Sequence, residues 1–219
     1  MSYSIAIDGP AGAGKSTIAK KIAKQLGFIY VDTGAMYRAM ALHILKKGIS
    51  PENAGNMSQA CKDADISISY ENGEQVVWLN GENVSGLIRA EEVGNMASVS
   101  SANQDVRTKL VSLQQKLAET ADVVMDGRDI GTCVLPNADV KIYLTASTAV
   151  RARRRFDELA AKNQACSLEQ IEQDIIERDE RDMNREISPL KQAEDAVLLD
   201  SSDLTVDEVV EKIIFLVQR

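Results

Sequence analysis

Apolar residues along this chain come in two textures: short unbroken runs, and longer stretches where they recur every three or four positions. Residues 3–8 form the first short run, a buried strand ending in a glycine-rich turn. Behind the turn, Ile18, Ala19, Ile22, Ala23 and Leu26 share one helix face, and Gly27 stands where a C′ glycine belongs. A second strand is predicted at 28–31. A helix over about 35–47 follows, with Met36, Met40 and Ile44 aligned as ordinary core spacing and two lysines before Gly48. The period then drops to two. Residues 66–70 alternate strictly, 71–74 make a turn, 75–79 form a further strand, and Asn80-Gly81 is a hairpin dipeptide. Trp78 alternates within this antiparallel patch as a packing residue.

Helical spacing returns at Val106, Leu110, Leu113 and Leu117, followed by strands at 123–125 and 140–144. Two charged helices are predicted over 147–162 and 167–185, the second opened by a Ser167…Gln170 capping box. A strand at 197–199 leads to a last helix, capped by Thr205 with Glu208, whose Val209, Ile213 and Leu216 face inward. Five short apolar strands alternating with helices predict an α/β, doubly wound fold: a five-stranded parallel sheet with helices on both faces. The antiparallel patch is an insert in that pattern.

The chain has 219 residues, 44% of them hydrophobic, which is enough for a sizeable core and argues against disorder. Its 33 acidic and 25 basic residues leave a net charge of −8, which disfavours binding to nucleic acid or anionic membranes but not to small anions met by a local arginine cluster. Cys61, Cys133 and Cys166 are scattered and unpaired by motif, so reduced thiols are expected, and with a single histidine they build no usual zinc site. His43 lies away from the motifs, in a packing or surface role. Without a signal-like leader or a membrane-length apolar run, the chain reads as cytoplasmic.

Gly9, Pro10, Ala11, Gly12, Ala13, Gly14, Lys15 and Ser16 match G-x-x-x-x-G-K-[ST] in full, with Thr17 next. The glycines let the loop curl until successive backbone N–H groups point at phosphate oxygens, and the following helix adds its N-terminal dipole. Lys15 is placed to bridge the β- and γ-phosphates of a nucleoside triphosphate, and the Ser16 hydroxyl to reach Mg²⁺. A strand before and a helix after are the context the motif requires.

No N-K-x-D base-reading motif marks a switch GTPase, and a loop this near the start of a small chain fits a small-molecule kinase better than a motor. Such an enzyme must clamp an anionic acceptor, which suits the planar fork of arginine. Arg38 lies in the second helix, and Arg128 with Asp129 just past a strand end, where ligands of open α/β sheets gather. Arg151, Arg154 and Arg155 share a helix face, as do Arg178, Arg181 and Arg185; a solvated face with i,i+4 pairs such as Arg178–Asp182 is the competing reading. Asp126 ends a strand either as a Walker-B carboxylate or as a turn-forming residue before Gly127.

DGPAGAGKST, VDTGAMYRA, the long ENGEQVVWLNGENVSGLIRAEEVGNMAS insert, DGRDIGT, VKIYLTAS, RARRR, ERDERDMNRE, SPL and VLLDSS together resemble the bacterial cytidylate kinases, within the P-loop nucleoside monophosphate kinases, over essentially the whole chain. The resemblance implies a P-loop NTPase core at about 1–48, 104–150 and 186–219, a monophosphate-binding insert at about 49–103, and a helical lid region at about 151–185. It implies transfer of a phosphoryl group from ATP to CMP or dCMP by a monomer, with Mg²⁺ and no nucleic-acid partner. By that pattern Thr33 and Arg38 hold the acceptor's phosphate with Arg128 and Arg185. Ser98, Arg107 and Asp129 read the cytosine ring, and Arg178 and Asp182 lie near the sugar. The Arg151–Arg155 stretch, Arg155 in particular, closes over the donor phosphates, and Lys15, Arg128 and Arg185 carry catalysis. Thr33 stands where many members have serine, which keeps the hydroxyl. UMP or shikimate as acceptor, and a non-catalytic nucleotide-binding module, are the rival readings; the long insert tells against a shikimate kinase.

Overall fold

The computed structural model describes residues 2–217, and the chain divides into two compact units, 1–30 with 121–219, and 31–120. The first unit is built on a five-stranded parallel sheet, as the apolar runs predict. Its strands are β1 (Ser4–Asp8), β2 (Ile29–Asp32), β6 (Val123–Gly127), β7 (Val140–Thr145) and β8 (Val197–Asp200), in the order β2-β6-β1-β7-β8, with the unit boundary falling inside β2. Asp8 at the end of β1 is level with Gly127 on one side and Tyr143 on the other. The loops leaving β1 and β6 therefore start side by side. Helices α1 (Lys15–Leu26) and α8 (Val206–Val217) pack on this sheet through Ile18, Ile22, Val209 and Ile213, all nearly inaccessible. Thr205 and Glu208 exchange both bonds of a capping box at the start of α8. Helices α6 (Thr148–Ala161) and α7 (Leu168–Asn184) pack together through Ala152, Ile171 and Ile175.

The second unit holds α2 (Thr33–Lys46), α3 (Ala54–Asp63), the antiparallel strands β3 (Ile66–Glu71), β4 (Glu74–Leu79) and β5 (Glu82–Asn83), α4 (Glu91–Ser100) and α5 (Gln104–Thr120). Asn72-Gly73 and Asn80-Gly81 join the three strands with positive φ at both central residues, the geometry that matches the twist of a two-residue hairpin. This unit is wider than the 49–103 stretch because Met36, Met40 and Ile44 of α2 and Val106 and Leu110 of α5 share one apolar cluster with Ile66, Val77 and Leu79. His43 is buried beside it, and Trp78 donates to the Ser69 hydroxyl across the hairpin at 2.8 Å. The three cysteines are free thiols. Among the described residues no helix is long and apolar enough to cross a membrane.

Candidate active site

The loop between β1 and α1 adopts the curl its spelling requires. A Cβ on Gly9, whose φ is +147°, would lie 1.9 Å from the Leu144 carbonyl oxygen, so only glycine lets β1 turn here against β7. Helix α1 starts at Lys15 with no side-chain cap and no acidic residue in its first turn, which leaves its N-terminal N–H groups and dipole for an anion. The Lys15 ammonium is buried and donates to the Pro10 carbonyl at 2.7 Å. Burial, and then the positive charge of Arg128, holds it well below the usual lysine range.

Ser16 donates from its hydroxyl to Asp126 Oδ2 at 2.9 Å, and Tyr30 donates to Asp126 Oδ1 at 2.8 Å. Asp126, left between two readings by its place before Gly127, thus sits buried beside the loop's hydroxyl at the end of β6. One carboxylate and one hydroxyl are hard oxygen donors that suit Mg²⁺, which prefers one or two such groups with substrate phosphates and water. Among the described residues no cluster of three His, Cys, Asp or Glu side chains offers a closed metal cage.

Past β6, Asp129 enters a π-helical turn (Ile130–Val134) that is pinned by Asp8. Both Asp8 oxygens accept backbone N–H bonds at 2.7 Å, from Ile130 and Gly131. Burial nevertheless pushes the Asp8 carboxyl up to about 6, against the pull of those two bonds. Arg128 donates from Nε to Asp182 Oδ2 at 2.7 Å, and Arg185 reaches Asp129 Oδ1 at 3.4 Å while donating from Nε to the Ser188 carbonyl at 2.7 Å. Burial would raise the Asp182 pKa, but Arg128, then Arg178 and Arg185, bring it below the usual range. Asp182 therefore takes an ion pair from Arg128, across the fold, beside the positive charge of Arg178 one turn away. Arg178 contributes positive charge to both Lys15 and Asp182. Lys15, Arg128, Arg178 and Arg185 are thus collected with Asp126, Asp129 and Asp182 in the first unit.

The 151–155 stretch does not behave as one face. Arg151 is buried against the loop, Arg154 is tied to the Ser201 carbonyl at 2.7 Å, and Arg155 is on the exposed side, paired with Glu158 at 2.9 Å. The loop contact of Arg151, and its partner Asp179, carry no spacing signal in the sequence.

In the second unit, Thr33 is buried at the first position of α2, which Asp32 caps by accepting from Ala35 N at 2.9 Å. Arg38, a turn later, lies beside Gly94 of α4. Arg107 is 3% exposed, donates to the Ser101 carbonyl at 3.3 Å and lies over the Tyr37 ring at 5.7 Å. The Ser101 hydroxyl in turn donates to the Ser98 carbonyl at 2.8 Å, so Ser98 and Arg107 are linked through one residue. Among the described residues, Ser98 Oγ is one of the buried polar atoms with no hydrogen-bond partner, which is costly unless a ligand supplies one.

Sheet order, loop and helix together define a P-loop nucleotide-binding fold. Among solved structures the fold resembles an uncharacterized protein from Eubacterium ventriosum, at TM-score 0.57 and 13% identity with both chains wholly covered. It also resembles a shikimate kinase from Bacteroides thetaiotaomicron, at TM-score 0.51 and 14% identity over 99% of both chains. By sequence, a cytidylate kinase from Caldicellulosiruptor bescii is 50% identical over 210 residues, covering 96% of this chain and 93% of that one. A cytidylate kinase from Ligilactobacillus salivarius is 49% identical over 215 residues, covering 98% and 96%. The cytidylate kinase family model matches residues 5–219, and the chain belongs to that family.

Proposed function

We propose that this protein transfers the γ-phosphoryl group of ATP to CMP or dCMP, giving ADP and CDP or dCDP. The observation that carries the reading is the complete phosphate loop with Arg128 and Asp129 at the neighbouring strand end, in a chain of the cytidylate kinase family. Gly9 to Thr17 cradle the donor phosphates, Lys15 meets the β- and γ-oxygens, and Arg155 approaches the donor from α6. Ser16 and Asp126 hold Mg²⁺, which neutralises charge on the phosphate oxygens when bound.

Thr33, Arg38, Arg128 and Arg185 grip the acceptor's phosphate. One of its oxygens attacks the γ-phosphorus while the bond to the ADP oxygen breaks. Because that nucleophile is already an anionic phosphate oxygen, no side chain has to remove a proton, and the work is positioning and charge stabilisation by Lys15, Arg128 and Arg185. Asp129 accepts from the exocyclic amine of cytosine, Arg107 donates to its ring acceptors, and Ser98 completes the set with the hydroxyl left unpartnered. Uracil would turn a carbonyl toward Asp129, so repulsion excludes it. Arg178 and Asp182 lie by the sugar. The 151–185 helices serve as the lid region, and the enzyme works in the cytoplasm as a monomer without nucleic acid.

The test is ADP formation from Mg-ATP with CMP, dCMP, UMP, AMP, GMP and shikimate offered separately. Activity confined largely to CMP and dCMP is expected. Turnover of another acceptor discards the assigned base pocket, and ATP binding with no acceptor turned over would make the protein a regulatory module.

A further inference from the structure

The backbone of Ala11, in the middle of the phosphate loop, is held from both sides by two buried side chains of the α6–α7 pair. Its N–H donates to Asp179 Oδ1 at 3.3 Å, and its carbonyl accepts from an Arg151 terminal nitrogen at 2.8 Å. That same nitrogen lies 2.6 Å from Asp179 Oδ2, and the two side chains are 5% and 8% exposed. The rest of the Arg151 fork is committed as well, with Nε to the Ala146 carbonyl at 2.9 Å and the second terminal nitrogen to the Thr148 hydroxyl at 3.1 Å. At the next residue, a Cβ on Gly12 would stand 3.3 Å from the Arg151 Cβ, so the arginine stem also sets how closely the loop lies against α6.

An aspartate at this place is paradoxical for a loop that receives a triphosphate. Its charge faces the anions the loop must bind, in a site where burial weakens screening. Arg151 resolves the paradox by neutralising it at 2.6 Å while both groups shape the loop. We infer that Arg151 and Asp179 are positioning residues of the donor site: together they fix the Ala11–Gly12 backbone, and Arg151 masks Asp179 from the donor's phosphates. Neither residue has to touch the reacting atoms. The inference rests on the reading of this loop as the ATP site, and it joins the α6–α7 pair to donor affinity through Arg151 and not only through the exposed Arg155.

A merely structural role and a masking role separate in double variants. Arg151→Gln leaves Asp179 buried and unmasked, so dissociation of a fluorescent ATP analogue and KM for ATP should both rise by about tenfold or more, while KM for CMP moves less than about threefold. Adding Asp179→Asn removes the charge that Arg151 had masked and should recover most of that loss, although a second native group has been taken away. Arg151→Lys keeps the charge and guards against a variant that does not fold; its ammonium cannot serve Ala11, Asp179 and Ala146 at once, so donor binding should weaken by roughly threefold to tenfold. Analogue binding unchanged in Arg151→Gln and Arg151→Lys overturns the inference, as does a double variant no better than Arg151→Gln, or equal weakening of ATP and CMP. Wild-type protein that binds the analogue but phosphorylates no nucleotide would instead defeat the functional reading, and the analogue titrations would still judge the Arg151–Asp179 pair.

Discussion

Asp8→Asn isolates the titration of one buried carboxyl. Asp8 is 4% exposed, and its carboxyl is raised from 3.8 to about 6, chiefly by burial. At about 1.4 kcal/mol per pH unit, that gap makes ionised Asp8 cost the folded state roughly 3 kcal/mol at neutral pH. The sign follows from proton binding. Folded protein holds this proton more tightly than unfolded protein, so the contribution to stability is fully present below pH 3.8 and is lost as the pH rises through about 6. Asparagine carries no titrating charge, and the other groups largely cancel when the two proteins are compared. The stability of Asp8→Asn minus that of wild type should therefore rise by roughly 2.4 kcal/mol from pH 4 to pH 7, part of the full difference having already developed at pH 4. Its absolute value at any one pH also includes the mismatch of an amide NH₂ facing the Ile130 or Gly131 N–H, so the slope is the quantity to read. Urea unfolding followed by circular dichroism at pH 4, 5, 6 and 7 measures it, and a carbon-detected titration of the Asp8 carboxyl gives the pKa directly. A difference that stays flat across this range, or a carboxyl titrating near 4, would refute the reasoning.

Lys15→Ala should lower turnover by about a thousandfold, the scale of losing one preorganised charge at a transferring phosphoryl group, while hardly moving the melting temperature, since burial already disfavours this ammonium; near-normal turnover ends the phosphate-loop assignment. Asp129→Ala should raise KM for CMP by about thirtyfold or more and leave KM for ATP within about threefold; equal weakening of both substrates shows that it does not read the base. Arg128→Ala should lower kcat as well as raise KM for CMP, because its charge matters most in the transition state. It should also cost stability, since Asp182 is left buried 2.7 Å from where its partner stood, and a pure KM effect would make Arg128 a binding group alone.

Local features were legible because their causes are local. The loop's curl depends on a run of glycines, the hairpin on two Asn-Gly pairs, and the α8 cap on residues three apart. The Ser167 box was read only in half: Ser167 accepts from Gln170 N, but the Gln170 side chain bonds Asp174 and the Ser167 hydroxyl turns to Glu169. Two neighbouring carboxylates competed for groups that a three-residue pattern assigns to each other. Helices α3 and α4 carried little periodic signal, being built largely from Ala, Ser, Gly and Asn with few large apolar residues.

By itself the sequence determined the alternation of strands and helices, the phosphate loop and, through its long run of motifs, the family. Those depend on contiguous spelling or on periodicity, which a linear chain displays. Only the tertiary structure decided which charges meet. Arg128 pairs with Asp182, 54 residues along the chain, Asp8 pins the turn after Asp129, and Arg151 turns inward to Asp179 while Arg155 turns out. Buried charges are tolerated only where a partner of opposite sign or a backbone donor lies within hydrogen-bond reach, and in this fold those partners come from distant strand ends and helices that only packing brings together.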